Sequence, residues 1–286
     1  MDEQTKNLIL ATALSFLVLL TWMFLFPPEP IPEEIVTSKN QTSQTITGSN
    51  KKLSNEEISE LNNSTSQNSE ETFAPRVEIS TKNLKGSIWL KGGRIDELSL
   101  QKYRETLNES SNNVTLLSPD GTKNPYYAFH GWAGMKGLDE GETPNSSTIW
   151  TLKSGRILTE NSPITLSWKN NKGVIFEKTI SIDENYMFEI SQSVINGSSE
   201  NIQLYPYGNL TRNGQPDTIG FYILHEGVVG MHDGELIETN YGDIEDLSRE
   251  EITREIQQNG WIGFTDKYWM STLIPRAGQT FKMDQR

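Results

Sequence analysis

The sequence predicts an all-β fold, a large antiparallel β-sandwich, for residues 73–286. From Phe73 onward, runs of about five to ten residues alternate polar with apolar side chains, and turn residues separate them. More than ten such runs fit into this region, which is typical of a sandwich. Helical periodicity is weak there, so we do not expect parallel βαβ units.

The alternating runs define the predicted strands. In 163-PITLSWKN-170, for example, Ile164, Leu166 and Trp168 point to one face, and the polar residues between them point to the other. The predicted strands are 76–80, 86–90, 95–100, 148–152, 163–170, 172–183, 185–196, 201–206 and 218–224.

Two hairpins are expected after these strands. Asp233-Gly234 within 227–238 suits the positive φ angles of a type I′ turn. The aromatic run 260-GWIGFTDKYWMSTLIP-275 predicts a second hairpin that turns at Asp266-Lys267. Its second limb, 268–274, carries bulk on both faces and is predicted to be a central strand covered on both sides. A partner-binding surface is the alternative interpretation of this limb.

Two segments are predicted to lie outside the strands. Ser248 and Glu251 fit a capping box and Gly260 fits a helix stop, so 248–260 is expected to be helical. The glycine-rich 130-HGWAGMKGLDEG-141 follows a polar, proline-containing stretch and is expected to be a surface loop packed by Trp132.

The N-terminus predicts an uncleaved membrane anchor. Residues 8–26 carry no charge, and nineteen helical residues span about 28 Å, close to the hydrocarbon thickness of a bilayer. A cleaved signal peptide is disfavoured, because its core is shorter and prolines follow this one. Since Lys6 is the base nearest the anchor, residues 1–7 are expected to be cytoplasmic and the rest to lie outside. The chain then contacts the lipid bilayer from Leu8 to Phe26.

Residues 27–72 are predicted to be a disordered linker. They are rich in Ser, Thr, Asn, Gln and Glu and nearly lack aromatic residues, so they bury too little apolar surface to offset their chain entropy.

Composition and motifs exclude several function classes. The net charge of −13 repels phosphate backbones, so no nucleic-acid partner is expected. The chain has no cysteine, which excludes thiolate metal sites and cysteine nucleophiles. Phosphate-binding, serine-hydrolase and zinc-protease motifs do not occur. A metal site at His232-Asp233 is disfavoured, because Asp is expected in that turn. We therefore predict a protein that is not an enzyme, with no catalytic, cofactor-binding or metal-binding residue.

Three blocks of the sequence resemble the YidC/Oxa family of bacterial membrane protein insertases, in its alphaproteobacterial form. The block 5-TKNLILATALSFLVLLTWMFLFPP-28 is similar to the family's first membrane helix. The blocks 226-EGVVGMHDGELIETNYGD-243 and 259-NGWIGFTDKYWMSTLIP-275 resemble its large periplasmic domain. The resemblance covers the whole chain apart from the linker.

The resemblance implies a β-supersandwich similar to galactose-mutarotase-like domains, on the periplasmic side of the inner membrane. It implies insertion, folding and assembly of inner-membrane proteins, alone or with the Sec translocon. The implied partners are nascent membrane proteins, SecYEG, SecD and SecF, and no cofactor is implied. Family members continue into five more membrane helices that form the insertion groove. The chain is therefore expected to be the N-terminal part of an insertase, without those helices.

A second function class stays open from the sequence. The alternative is a membrane-tethered, periplasmic carbohydrate- or peptide-binding β-sandwich. A mutarotase-type enzyme on the same fold needs a His acid facing a Glu base. His130, His225 and His232 are the three candidates for the acid, and their sequence context does not distinguish them.

Overall fold

A computed structural model describes residues 12, 14–17, 20–21, 74–139, 141–218 and 224–286. The chain divides into two compact units, Met1–Glu60 and Leu61–Arg286. The described N-terminal residues are helical. No helix among the described residues has both the length and the apolar character needed to cross a membrane. Three predicted segments lie wholly or mostly outside the described residues. They are most of the span 8–26, the whole linker 27–72, and residues 219–223 of the predicted strand 218–224.

The second unit is built from sixteen described strands. In chain order they are β1 (Arg76–Ser80), β2 (Leu84–Trp89), β3 (Arg94–Arg104), β4 (Asn113–Leu117), β5 (Tyr126–Lys136), β6 (Thr151–Ser154), β7 (Ile164–Lys169), β8 (Ile175–Ile182), β9 (Phe188–Ile195), β10 (Gln203–Arg212), β11 (Gly227–His232), β12 (Glu235–Asn240), β13 (Thr253–Ile256), β14 (Gly260–Thr265), β15 (Met270–Leu273) and β16 (Phe281–Asp284). A 3₁₀ helix (Tyr241–Asp246) and one α-helical turn, α1 (Arg249–Ile252), lie between β12 and β13.

The strands form three sheets and one separate pair. Sheet one has the order β1-β2-β3-β5-β10, with β4 added to β3. Sheet two has the order β6-β7-β8-β9, sheet three the order β12-β11-β14-β15, and β13 pairs with β16. Every ladder between these strands is antiparallel. The predicted all-β antiparallel fold is confirmed.

The main core lies between the inner faces of sheets one and two. Ile79, Ile88, Leu158, Ile164 and Phe176 are each fully buried there. All but Leu158 come from strands that the sequence identified, where period-2 spacing turns every second side chain inward. A smaller cluster of Ile237, Ile256 and Met283 packs under sheet three.

Most predicted strands and both hairpins are confirmed. Strand 76–80 coincides with β1, and β7, β8 and β9 lie within 163–170, 172–183 and 185–196. Asp233 and Gly234 have φ angles of 46° and 98°, as a type I′ turn requires. The segment 148–152 is shifted, since β6 begins at Thr151.

The predicted surface loop at 130–141 is wrong over its first half. Residues 130–136 belong to β5, which pairs along its length with β10. Trp132 is 5% exposed, and its ring centroid lies 6.2 Å from that of Trp150. The glycines hid the strand pattern, and one of them has a packing reason. A Cβ on Gly131 would lie 2.7 Å from the hydroxyl of Tyr207, so a side chain there would displace the Tyr207 ring.

The predicted helix at 248–260 is also wrong beyond its first turn. The capping box of Ser248 and Glu251 is present, but α1 ends at Ile252 and β13 follows. β13 pairs with β16, and Ile256 is fully buried in the smaller cluster. Tertiary pairing of a β-branched segment outweighed the local helix signal. Strands β4, β13 and β16, like β5, were not predicted.

The second limb of the aromatic hairpin is an edge strand and is not covered on both sides. β15 pairs with β14 alone among the described strands. Tyr268, Met270 and Ile274 are 72%, 51% and 58% exposed. The turn lies one residue later than predicted, at Lys267-Tyr268, because Asp266 N–H donates to the carbonyl of Trp269 at 2.8 Å and Thr265 pairs with Met270.

Candidate interaction face and buried polar sites

The three histidines occupy unrelated places. His130 lies on β5, where burial, with the charge of Lys178, lowers its pKa to about 4. His225 Nε2 lies 2.8 Å from the carbonyl oxygen of Val228. His232 Nδ1 lies 3.8 Å from Glu235 across the β11–β12 turn, and Glu235 is largely exposed. Among the described residues this is the one histidine–carboxylate pair, and a two-residue turn on the surface is not a cleft.

Asp233, beside His232, has a structural role. Its carboxylate accepts the backbone N–H groups of Gln257, Gln258 and Asn259 at 2.9, 2.8 and 3.0 Å. These bonds lower the pKa of the carboxyl group. No cluster of three metal-ligand side chains occurs in the part of the chain that the structure describes. The prediction that the chain has no catalytic, cofactor or metal residue stays a prediction.

One face of the aromatic hairpin packs inward. The Phe264 ring lies 5.8 Å from that of Tyr126 and 6.0 Å from that of Tyr241. Trp269 meets Tyr103 edge-on at 4.7 Å. Both hairpin residues are half-buried against the main core, so the core interpretation holds for this face of the hairpin.

A largely buried cation, 12% exposed, ties this hairpin to sheet one. Arg212, at the end of β10, donates to both carboxylate oxygens of Asp266 at 2.9 and 2.8 Å and to Tyr241 Oη at 2.7 Å. Tyr241 Oη in turn donates to Asp266. The guanidinium also lies 4.9 Å from the Tyr126 ring, and burial raises the pKa of Tyr126 to about 12. Sequence reasoning missed this group, because its members are far apart in the chain.

The outer face of sheet three carries several apolar side chains beside Glu238, Thr265 and Thr272, and we call this apolar group the apolar face. Met231 is paired with Leu236 on one side and with Trp261 on the other. Leu273 is in register with Ile262. The next residue, Ile274, therefore lies beside Trp261 and extends the same row. Met270, opposite Thr265, lies on this face as well. Leu236, Met270 and Ile274 are each more than half exposed. The apolar face is defined by Leu236, Met231, Trp261, Met270 and Ile274.

A second buried cation lies between sheets one and two. Lys178 is 1% exposed, and its Nζ is 4.5 Å from the Trp150 ring centroid and 5.0 Å from that of Phe129. Burial lowers the pKa of Lys178 to about 7. The sequence held a signal for it, because Lys178 occupies an inward position between Phe176 and Ile180 on an otherwise apolar stripe.

Comparisons with known proteins all identify the same family. The model of the YidC periplasmic domain matches residues 76–286. A relative from Roseobacter denitrificans is 49% identical over 286 residues, covering 96% of this chain and 47% of the relative. One from Ruegeria pomeroyi is 47% identical over 99% of this chain and 48% of the relative. One from Dinoroseobacter shibae is 46% identical over 98% of this chain and 48% of the relative. All three are named membrane protein insertase YidC, and the chain spans about half their length.

Proposed function

Because this chain belongs to the family of the YidC periplasmic domain, we propose that it serves the insertion, folding and assembly of inner-membrane proteins as the anchored periplasmic module of an insertase. Its membership implies an inner-membrane protein with a periplasmic domain. In the proposed arrangement, residues 1–7 are cytoplasmic, 8–26 anchor the chain in the bilayer, 27–72 are a linker, and 73–286 form the periplasmic body.

The proposed role of the body is to bind polypeptides without catalysis. The observation that carries it is the apolar face, whose Leu236, Met270 and Ile274 are 57%, 51% and 58% exposed. Leu236, Met231, Trp261 and Ile274 form one row across the sheet, and contiguous apolar side chains with exposed members mark interaction sites. Trp and Met are also among the residue types enriched at protein interfaces.

The proposed partners are nascent inner-membrane proteins and the Sec translocon, with SecD and SecF. A face of flexible Met and flat Trp side chains can adapt to varied apolar segments, which suits a protein that handles many clients. The body's acidic charge disfavours direct adhesion to anionic head groups, so a polypeptide partner is the better match.

Site-specific photo-crosslinking in intact inner membranes tests this proposal. A photo-reactive residue placed at Met270 or Ile274 of the full protein is expected to crosslink to translocon subunits or to nascent membrane proteins. The matched control is Ser191, an exposed residue on the outward side of β9 in sheet two, from which little crosslinking is expected.

A charge on the apolar face sharpens the same experiment. Met270→Glu is expected to lower crosslinking from Ile274 severalfold, because a carboxylate must be desolvated on docking. Met270 is half exposed, so the fold should tolerate this change. Equal crosslinking from Ser191 and Ile274, or no effect of Met270→Glu, would contradict a partner site on the apolar face.

A further inference from the structure

Lys178 is held in the interior by groups from several elements. On β8 it is paired with Leu166 of β7 and with Gln192 of β9. Its Nζ donates to the carbonyl oxygen of Gly92, in the β2–β3 turn, over a long 3.4 Å. The rings of Trp150 and Phe129 face the ammonium from two further sides. An ammonium has three N–H donors, so these contacts leave hydrogen-bonding capacity unused.

No carboxylate of the described residues pairs with Lys178, and this sets it apart from the other buried cations. Arg94 is paired with Asp120 at 2.6 Å, and Arg212 with Asp266 at 2.8 Å. The titratable group that faces Lys178 is His130 on β5, which burial and the lysine keep neutral. Gln192 donates its Nε2 to the carbonyl of Gly131 at 2.8 Å. A buried charge without a counter-charge is costly by several kcal/mol.

A second buried donor points to the same corner. Trp150 Nε1 is buried and has no acceptor within the described ranges. A Cβ built on Gly93 would lie 3.2 Å from Lys178 Nζ and 3.2 Å from Trp150 Nε1. Both nitrogens therefore lie close to the Gly93 backbone, in a corner where a side chain on residue 93 would be crowded against them. A buried tryptophan N–H normally finds a partner.

We propose that Lys178 and Trp150 form a binding site for one small monovalent anion, of halide size, enclosed beside the Gly92–Gly93 turn. Both donors belong to side chains that are 1% exposed, which restricts the ligand to a compact ion. A water molecule satisfies the donors but leaves the ammonium charge without a counter-charge, so the surroundings favour an anion. Once bound, the anion fixes Trp150 and the turn of sheet one against β8 of sheet two.

A chloride titration of the full protein in detergent tests the proposal. Sodium chloride replaces sodium gluconate at constant ionic strength, and the thermal unfolding midpoint is followed. A ligand that binds only the folded state raises the apparent Tm by roughly 3–5 °C for each tenfold increase in concentration above Kd. We expect this rise in the native protein and its loss in Lys178→Met. Trp150→Phe keeps an aromatic ring against Trp132, removes the donor, and is expected to weaken chloride binding severalfold.

The controls separate a specific site from a general salt effect. Lys153→Met removes an exposed lysine on β6 that pairs with Glu177, and it should retain the chloride response. Bromide in place of chloride should give an anomalous diffraction peak within hydrogen-bond distance of Lys178 Nζ and Trp150 Nε1, which does not depend on any variant folding. An equal chloride response in Lys178→Met, or no response and no bromide peak in the native protein, would overturn the proposal.

Discussion

The regions around Arg212 and Lys178 place the same kind of group in opposite situations. Each has a cation buried against aromatic rings, at 4.9 Å from Tyr126 for Arg212 and at 4.5 Å from Trp150 for Lys178. Arg212 has a carboxylate, Asp266, and a phenol bonded to both of them. Lys178 has one long bond to a backbone carbonyl.

The difference teaches which buried cation stabilises the fold. A buried ion pair offsets much of its desolvation through close geometry, and breaking it leaves an isolated charge. Arg212 therefore joins sheet one to the β14–β15 turn. Lys178 lacks that compensation, so at neutral pH its charge opposes folding unless an anion accompanies it. The two regions should respond to mutation with opposite signs.

Removing the carboxylate from the Arg212 region should have the largest effect. Asp266→Asn keeps the side chain's shape but leaves the guanidinium unpaired, and we expect a loss of about 2–3 kcal/mol in the free energy of unfolding. This lies below the range for fully buried pairs, because the Asp266 side chain is 31% exposed. Urea unfolding measures it. Asp217→Asn, in the exposed pair with Lys123, is the control and should change stability by less than about 0.5 kcal/mol. Equal losses in the two variants would contradict the pairing role of Asp266.

The next largest expected effect is a difference in stability loss between mutations on the two faces of the hairpin beside Asp266. Trp269→Ala removes a half-buried ring packed on Tyr103 and the main core, and is expected to cost about 2 kcal/mol, less than a fully buried aromatic. Tyr268→Ala, whose side chain is 72% exposed, should cost less than about 0.5 kcal/mol. Circular dichroism during urea unfolding compares them, and a larger loss for Tyr268→Ala would reverse the assignment of the faces.

Replacing the lysine should have the opposite sign. Lys178→Met fills the same space without a charge, and in chloride-free gluconate we expect the free energy of unfolding to rise by about 1–2 kcal/mol at pH 7. Lys153→Met, at an exposed position, should change it little. A loss above about 2 kcal/mol on Lys178→Met would mean that the ammonium makes a net stabilising contact, contrary to this account.

The free energy of unfolding should also depend on pH through Lys178, and this is the smallest of the expected effects for each pH unit. Burial lowers the pKa of Lys178 from its ordinary 10.5 to about 7, so between these values the unfolded chain binds one more proton than the folded chain. The stability of the native protein relative to Lys178→Met should therefore rise with pH across this window, by at most about 1.4 kcal/mol per unit, and be constant below it. His130, with its pKa lowered to about 4, adds a separate loss of stability as pH falls from 6.5 toward 4. A flat difference above pH 7 would contradict the lowered pKa of Lys178.

The fold was predictable where one sheet face is apolar and alternation is regular. Strands β7, β8 and β9 follow that rule, and the Asp233-Gly234 turn follows from backbone preference alone. β5 was not predicted because Gly131 and Gly134 interrupt the alternation of polar and apolar side chains. β13 escaped because its partner β16 lies far along the chain, and pairing over that distance leaves no local pattern.

The candidate sites were predictable only in part. The position of Lys178 on an inward stripe is visible in the sequence, but its lack of a carboxylate depends on residues from five other parts of the chain. The aromatic run suggested both core and surface, and each is true of one face: Phe264 and Trp269 pack inward while Met270 and Ile274 are exposed. Sequence alone gave both limbs of that hairpin but not the edge position of β15.

Direct titration of the Lys178 ammonium group tests the central comparison most sharply. The full protein is labelled selectively on lysine, and the Lys178 side-chain NMR resonances are assigned by their loss in Lys178→Met. Their chemical shifts report the protonation of Lys178 in gluconate and in chloride. We expect an apparent pKa of about 7 in gluconate and a higher value in chloride, because a bound anion favours the charged form. An ordinary value near 10.5 in gluconate would show that Lys178 is compensated as Arg212 is, and would contradict the account.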